Sequence, residues 1–259
     1  SNEVKIMHWW DGYSAVLDLT NKKANKWLKE RLDYLQNTYG VDGFKFDGAD
    51  ACFYPDGGRF EKDLFRIHQA RLYSEFATNY KLNEMRACFN TQGRGLAQRL
   101  TDKSHSWDKR GIDMLIPNGL AMSILGYVYS CPDMIGGGLV GDFLANGYQD
   151  IDQELFVRYA QVATFFPMMQ FSLAPWKVLS TENLQIVKNC CKIHDEISEY
   201  IKELVVKASK DCTPIMRSMQ FEYPNGDYSL IKDQFMLGDK YLVAPVVTKN
   251  TFERKVVLP

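Results

Sequence analysis

The chain has little of what metal, membrane or nucleic-acid chemistry requires. Only four histidines occur in 259 residues, and none is spaced as H-x-H or H-E-x-x-H. The six cysteines (52, 88, 131, 190, 191, 212) hold no C-x-x-C pair and no zinc spacing. A metal-dependent hydrolase and a disulfide framework are both disfavoured, so free, buried thiols are expected and neither metal nor cofactor is called for. Lys and Arg number 31 against 32 Asp and Glu, a formal net charge of −1 with no basic cluster. Nothing tracks phosphates, and nucleic acid is not an expected partner. The longest apolar runs, such as Val162 to Phe166 and Tyr241 to Val247, fall far short of a membrane span. Internal repeats and low-complexity tracts are also missing.

What is there is an alternation of strand and helix signals, the signature of a parallel α/β fold. Strands are expected at Val4 to Trp10, Val41 to Asp47, Met85 to Asn90, Leu96 to Thr101, Tyr127 to Asp133 and Phe165 to Phe171. Helices are expected from Asn21 (with Ala24, Trp27, Leu28, Leu32 and Leu35 as the apolar stripe), at Glu61 to Tyr80, Arg110 to Leu125, Glu154 to Thr164 and Thr181 to Val205. From Gln220 onward the pattern changes to short strands with turns at Pro224-Asn-Gly226 and Gly238-Asp239.

The most informative residue is Asp47, in the run Val41-Asp-Gly-Phe-Lys-Phe-Asp47-Gly-Ala-Asp50. The segment reads as a buried parallel strand whose pleat sends Lys45 and Asp47 to one face and Phe44 and Phe46 to the other. A carboxylate at the C-terminal end of such a strand sits where α/β barrels keep their chemistry, although a lone strand-end Asp more often caps a turn. A second carboxylate, Asp102, follows another strand in Arg99-Leu-Thr-Asp-Lys-Ser-His-Ser-Trp107.

These two contexts resemble the catalytic carboxylates of glycoside hydrolase family 31, and the likeness continues in order along nearly the whole chain. Arg86 stands where that family keeps an arginine at the end of the next strand, and Trp107 follows the second carboxylate as the family's tryptophan does. Tyr127 to Asp133 with Gly136 to Gly138 resembles its seventh strand and Gly-rich loop. Arg217 to Pro224 and Asp233 to Pro245 resemble its barrel-to-sandwich junction. The resemblance implies a (β/α)8 TIM barrel followed by the start of a β-sandwich, with residues 1–213 as barrel and 214–259 as sandwich. Six strand signals fall short of eight, so the first barrel strands are expected to precede residue 1. The segment expressed alone is then expected to aggregate or lack activity.

By resemblance, Asp47 is the nucleophile and Asp102 the general acid/base of a retaining α-glycosidase acting on oligosaccharides or glycoconjugates. Retention needs one ionised and one protonated carboxyl about 5 to 5.5 Å apart. Lys45 is expected to keep Asp47 ionised or donate to sugar hydroxyls, with a structural ion pair as the alternative. Trp107 reads as an apolar wall for Asp102 or as ordinary packing. Arg86 and Arg99 either hold the carboxylates or bind hydroxyls, since both uses need the guanidinium fork. Asp133 reads as a hydroxyl acceptor or a turn cap, and Trp10 as a sugar platform, with one of Trp9 and Trp10 facing the core. His105 reads as a solvated loop histidine, and Asp50, Asp108 and Asp239 as structural.

The chain departs from the family where it holds the sugar. Gln170-Phe171-Ser172 occupies the place of its usual Arg-Asn-His, Arg99 that of a tryptophan, and Lys45-Phe-Asp47-Gly-Ala-Asp50 that of Trp-x-Asp-Met-Asn-Glu. Gln170 is therefore a pocket candidate by position. The Lys-x-Asp wording is similar to the nucleophile motif of α-galactosidases in other barrel families, and together with the Asp102-to-Trp107 loop and Met169-Gln-Phe-Ser172 it resembles an α-galactosidase-like subgroup of this family. It makes α-galactoside the first substrate expectation, with α-glucosidase or α-xylosidase specificity, or a carbohydrate-binding pseudo-enzyme, as alternatives.

Overall fold

β1 (Ile6–Trp9) pairs antiparallel with β2 (Gly12–Ala15), and Gly12 stands opposite Trp9 at φ +92°. The first strand is thus half of a hairpin, where a single barrel strand was expected; the Asp11-Gly12 dipeptide is the signal that marks it. The computed structural model describes residues 4, 6–9, 12–54, 65–144 and 151–259. The chain divides into two units, Ser1–Gln98 and Arg99–Pro259.

In the first unit, Asn21 caps α1 (Lys22–Tyr39) by accepting from the amides of Lys23 and Ala24. Gly40 closes it, and β3 (Gly43–Phe46) follows. Beyond it come α2 (Arg66–Ala77), β4 (Leu82–Met85) and β5 (Ala97–Arg99), with β3, β4 and β5 parallel neighbours in that order. β4 lies earlier than its sequence signal because Asn83 and Glu84 are buried polar residues that read as loop. Asn83 donates to the carbonyls of Tyr80 and Gly95, which makes that burial affordable. The core gathers Phe46, Phe76, Ala77, Tyr80, Met85 and Leu96, with Phe46 in ring contact with Phe44, Tyr73, Phe76 and Tyr80.

In the second unit, the amide of Leu100 donates to the carbonyl of Cys131, setting β6 (Ser130–Cys131) beside the end of β5. Between them runs α3 (Leu115–Ile124). A short α4 (Val140–Leu144) precedes α5 (Gln153–Ala163), which is buried along most of its length. No full strand forms over 165–171. Pro167 removes a donor there, and one parallel bridge, Ile135 to Phe171, remains. After α6 (Pro175–Val178) the expected long helix is two, α7 (Thr181–Glu196) and α8 (Ser198–Asp211), with buried Ile197 at the bend. β7 (Met216–Ser218), α9 (Met219–Glu222), β8 (Phe235–Leu237) and β9 (Tyr241–Val243) then form an antiparallel sheet in the order β7-β8-β9. All six cysteines are free thiols; Cys131 and Cys190 are buried as expected, but Cys52, Cys191 and Cys212 are exposed.

Candidate active site

The register of β3 on β4 positions the candidate residues of the first unit. Lys45 lies opposite Glu84 and Phe46 opposite Met85, so Asp47 and Arg86 leave the two strand ends one step later. Phe46 is buried, and the pleat directs Lys45 and Asp47 to the other face. The nearly buried Arg86 side chain pairs with Asp47 at 3.1 Å and with Asp50 at 2.6 Å. Lys45 pairs across the strands with buried Glu84 at 3.4 Å, the ion-pair alternative. Arg86 thus supplies a cation for Asp47, a task the sequence reading gave to Lys45. Asp50 is structural in a specific sense, as the second carboxylate on that arginine.

A cavity of about 280 Å³ opens beside Asp47, walled by Trp9, Trp27, Leu28, Phe53, Tyr54 and Tyr73 among others. Gly48 turns at φ +78°, and a Cβ there would meet the Trp9 ring at 2.4 Å. Only glycine lets the indole lie against the turn that follows Asp47. Trp9 also meets Phe53 edge to face. Trp9 is therefore a lining residue that sequence reasoning passed over for its neighbour, while Trp10 lies outside the described residues. Burial, and then the charge of Asp47, pushes the Tyr73 hydroxyl up to about 12.

The candidate residues of the second unit gather on Arg99, whose side chain is 2% exposed. Its Nη1 donates to Asp102 Oδ1 at 2.7 Å, Asp133 Oδ1 at 2.8 Å and the Leu100 carbonyl at 3.2 Å. Asp133 has no accessible surface, and its Oδ2 accepts from the Lys103 amide at 2.7 Å. Burial raises the Asp133 pKa despite that hydrogen bond and the charge of Arg99. The same two carboxylates keep Arg99 charged against its own desolvation. Of the two uses open to Arg99, holding carboxylates is the one its geometry serves. Asp133 is neither an exposed hydroxyl acceptor nor a plain turn cap, but a buried anchor for that arginine. Lys103, which sequence reasoning passed over, is also buried, and desolvation lowers its pKa.

The loop after Asp102 is pinned rather than solvated. His105 Nδ1–H donates to the Gly136 carbonyl at 2.8 Å, and its Nε2 accepts from the Asp152 amide at 3.1 Å. Those partners require the neutral Nδ1–H tautomer, and burial lowers the pKa in the same direction. The solvated reading of His105 is thereby corrected. Trp107 packs against the second unit's core and donates through Nε1 to Asp152 Oδ2 at 3.0 Å. The carbonyl of Gln170 accepts from the Ile135 amide at 2.7 Å, and Ser172 Oγ donates to the Ile135 carbonyl at 2.8 Å. Asp108 pairs with Arg110 and Asp239 accepts from Tyr200, as structural residues do. Among the described residues no three His, Cys, Asp or Glu side chains cluster as a metal site, and no helix is long and apolar enough to cross a membrane.

In each unit a carboxylate beyond a parallel strand is paired with a buried arginine, and an antiparallel sheet follows at the C-terminal end. The model of the glycosyl hydrolase family 31 TIM-barrel domain matches residues 1–202, and that of the family 31 C-terminal domain matches residues 212–259. The chain belongs to glycosyl hydrolase family 31. The myogenesis-regulating glycosidase of Mus musculus is 34% identical over 98% of this chain and 36% of its own length. The SITS-binding protein of Tetronarce californica is 30% identical, with the same coverage of 98% and 36%. A family 31 sulfoquinovosidase from E. rectale, solved with an aza-sugar inhibitor, superposes with a TM-score of 0.83 at 20% identity, covering 99% of this chain and 41% of that one. The chain thus spans about a third of the length of the curated relatives, 36% in both cases, and the likeness to the solved structure is one of fold.

Proposed function

We propose that the parent protein is a retaining α-glycosidase that removes terminal α-linked sugars by double displacement. Asp47 attacks the anomeric carbon as the bond to the leaving oxygen breaks, and Asp102 gives that oxygen its proton. Water then attacks the glycosyl-Asp47 ester, returning its proton to Asp102 and the carboxylate to Asp47. The observation that carries this reading is the pair of strand-end carboxylates, Asp47 and Asp102, each bonded to a buried arginine and still partly open to solvent. Arg86 supplies the counter-ion of the nucleophile. Arg99 and Asp133 set the orientation of Asp102. Trp9 and Trp107 supply ring faces of the kind sugars stack on, and Lys45 supplies an ammonium for hydroxyls. Residues 1–213 form the barrel portion and 214–259 the beginning of the β-sandwich in this reading.

For the sugar itself we infer an α-galactoside, on the Lys45-Phe-Asp47 wording, ahead of an α-glucoside or α-xyloside. A panel of α-linked nitrophenyl sugars, tested on the full-length protein beside Asp47→Asn and Asp102→Asn, decides both points. Hydrolysis of one sugar that vanishes in both variants supports the assignment; activity surviving Asp47→Asn refutes it. The second reading, a carbohydrate-binding pseudo-enzyme, draws on Gln170-Phe171-Ser172 standing where the family's Arg-Asn-His usually does, and on a relative named for binding rather than hydrolysis. Sugar binding without turnover of any panel member would favour it.

A further inference from the structure

Asp152 is the junction of four separate connections. Its Oδ2 accepts from Trp107 Nε1 at 3.0 Å and from Lys249 Nζ at 2.7 Å. Its Oδ1 accepts from the Leu155 amide at 3.1 Å and caps α5, and its own amide donates to His105 Nε2 at 3.1 Å. Two of these partners, His105 and Trp107, belong to the loop that begins at Asp102. The third begins the rigid, buried helix α5, and the fourth comes from the C-terminal domain. Burial opposes ionisation of Asp152, but the hydrogen bonds from Lys249, Trp107 and Leu155 hold its pKa below the usual carboxylate value. Two further links dock the same C-terminal segment on α5: the Asn250 amide on Glu154 Oε1 at 3.0 Å and Arg158 Nη2 on the Thr251 carbonyl at 2.9 Å.

We propose that Asp152 is a positioning residue for the acid loop, and that Lys249 makes the loop's placement depend on the C-terminal domain. The inference rests on the reading of Asp102 as the general acid. The loop is held at its start by Arg99 on Asp102, and at its far end by Asp152 on His105 and Trp107. An indole N–H only donates, and so does an ammonium, so Oδ2 must be an acceptor for both while Oδ1 is spent on the helix. An ionised Asp meets all three demands. An Asn places an NH2 where one of those acceptors was, so either Trp107 and Lys249 or the Leu155 amide is left facing a donor. Release of the far end lets the Asp102 carboxyl drift from the leaving oxygen, and a misplacement of about 1 Å costs roughly 100-fold in rate.

The test uses leaving groups of different basicity in the full-length protein. A dinitrophenolate departs without a proton, whereas a methoxide needs the acid, so only the second substrate senses where Asp102 sits. The kcat/KM values for 2,4-dinitrophenyl and methyl α-galactosides and α-glucosides are measured for wild type, Asp102→Asn, Asp152→Asn and Lys249→Met. The expected result is a loss of about 10- to 100-fold on the methyl glycoside in Asp152→Asn, with the dinitrophenyl glycoside within about threefold of wild type. Lys249→Met shifts the ratio in the same direction by less. Equal losses on both substrates, or none, in Asp152→Asn overturn the proposal, because a merely structural role does not discriminate leaving groups. If Asp152→Asn fails to fold, the Lys249→Met ratio decides, and an unchanged ratio overturns it. Failure of the underlying reading looks different: wild type hydrolyses none of the glycosides, or Asp102→Asn itself leaves the ratio unchanged.

Discussion

Two buried arginines perform one electrostatic task in the two units, but in different surroundings. In the first, Arg86 divides its fork between Asp47 and Asp50, both partly open to solvent. In the second, Arg99 divides its donors between Asp102, which is partly open, and Asp133, which has no contact with solvent at all. The first arrangement sits beside an aromatic cavity and relies on water to help solvate its charges. The second is anchored by a carboxylate that burial alone would rather protonate, and the arginine and the backbone amides of Lys103 and Met134 act against that. The contrast suits the two proposed tasks: a nucleophile needs a steady counter-ion, and an acid that cycles its proton needs a fixed direction.

Exchanging the two carboxylates for amides tests that division most strongly. Asp47→Asn and Asp102→Asn should each lower turnover in the full-length protein by about 10²- to 10⁴-fold or more. Added azide should restore glycosyl transfer in Asp102→Asn on an activated substrate, with retention of configuration, and should not do so with retention in Asp47→Asn. Chiral analysis of the azide product reads the difference.

The anchors differ next. Asp133→Ala removes one of two carboxylates from a buried guanidinium and takes the acceptor from the Lys103 amide, and should cost roughly 3–5 kcal/mol of stability. Asp50→Ala, at a solvated pair, should cost about 1 kcal/mol or less. The shift in denaturant midpoint measures both, and equal costs would erase the distinction drawn above.

Gly48→Ala should destabilise the first unit by about 1–2 kcal/mol, because a side chain must adopt φ +78° and displace the Trp9 ring. A drop in the tryptophan contribution to near-ultraviolet circular dichroism should accompany it.

The smallest effect belongs to His105. Its folded pKa lies below the unfolded value of about 6.5, so the unfolded chain binds the proton more readily. The neutral ring therefore contributes stability above that pH, and the contribution is lost as pH falls through the folded pKa. The melting temperature should drop as pH is lowered from about 7 to about 5, and His105→Gln should flatten that dependence. A profile unchanged by the substitution would contradict the neutral, doubly bonded ring.

Much of this was legible beforehand because periodicity and motif wording are local. The apolar run before Asp47, the N-cap at Asn21, the helix now seen as Gln153–Ala163 and the turns of the C-terminal sheet all follow from neighbouring residues. The errors fall where distant partners outweigh local preference. β4 holds two buried polar residues, for which the carbonyls of Tyr80 and Gly95 accept from the Asn83 side-chain amide and Lys45 pairs with Glu84, and neither residue carries a β signal of its own. The 165–171 segment reads as a strand and lacks the donors to be one. The Thr181 to Val205 pattern is amphipathic throughout, and the bend at Ile197 is set by what that residue packs into.

The sequence by itself determined the α/β order and the family, because each is written in short contiguous words. Tertiary structure alone decided how the charges are shared. It gave Lys45 to Glu84, Arg86 to Asp47 and Asp50, and Arg99 to a carboxylate 34 positions away. It also tied His105, read from the sequence as a solvated loop histidine, to the Asp152 amide. The physical reason is that a charge or a buried donor takes the partner that its burial and geometry bring within about 3 Å, and sequence distance does not set that separation.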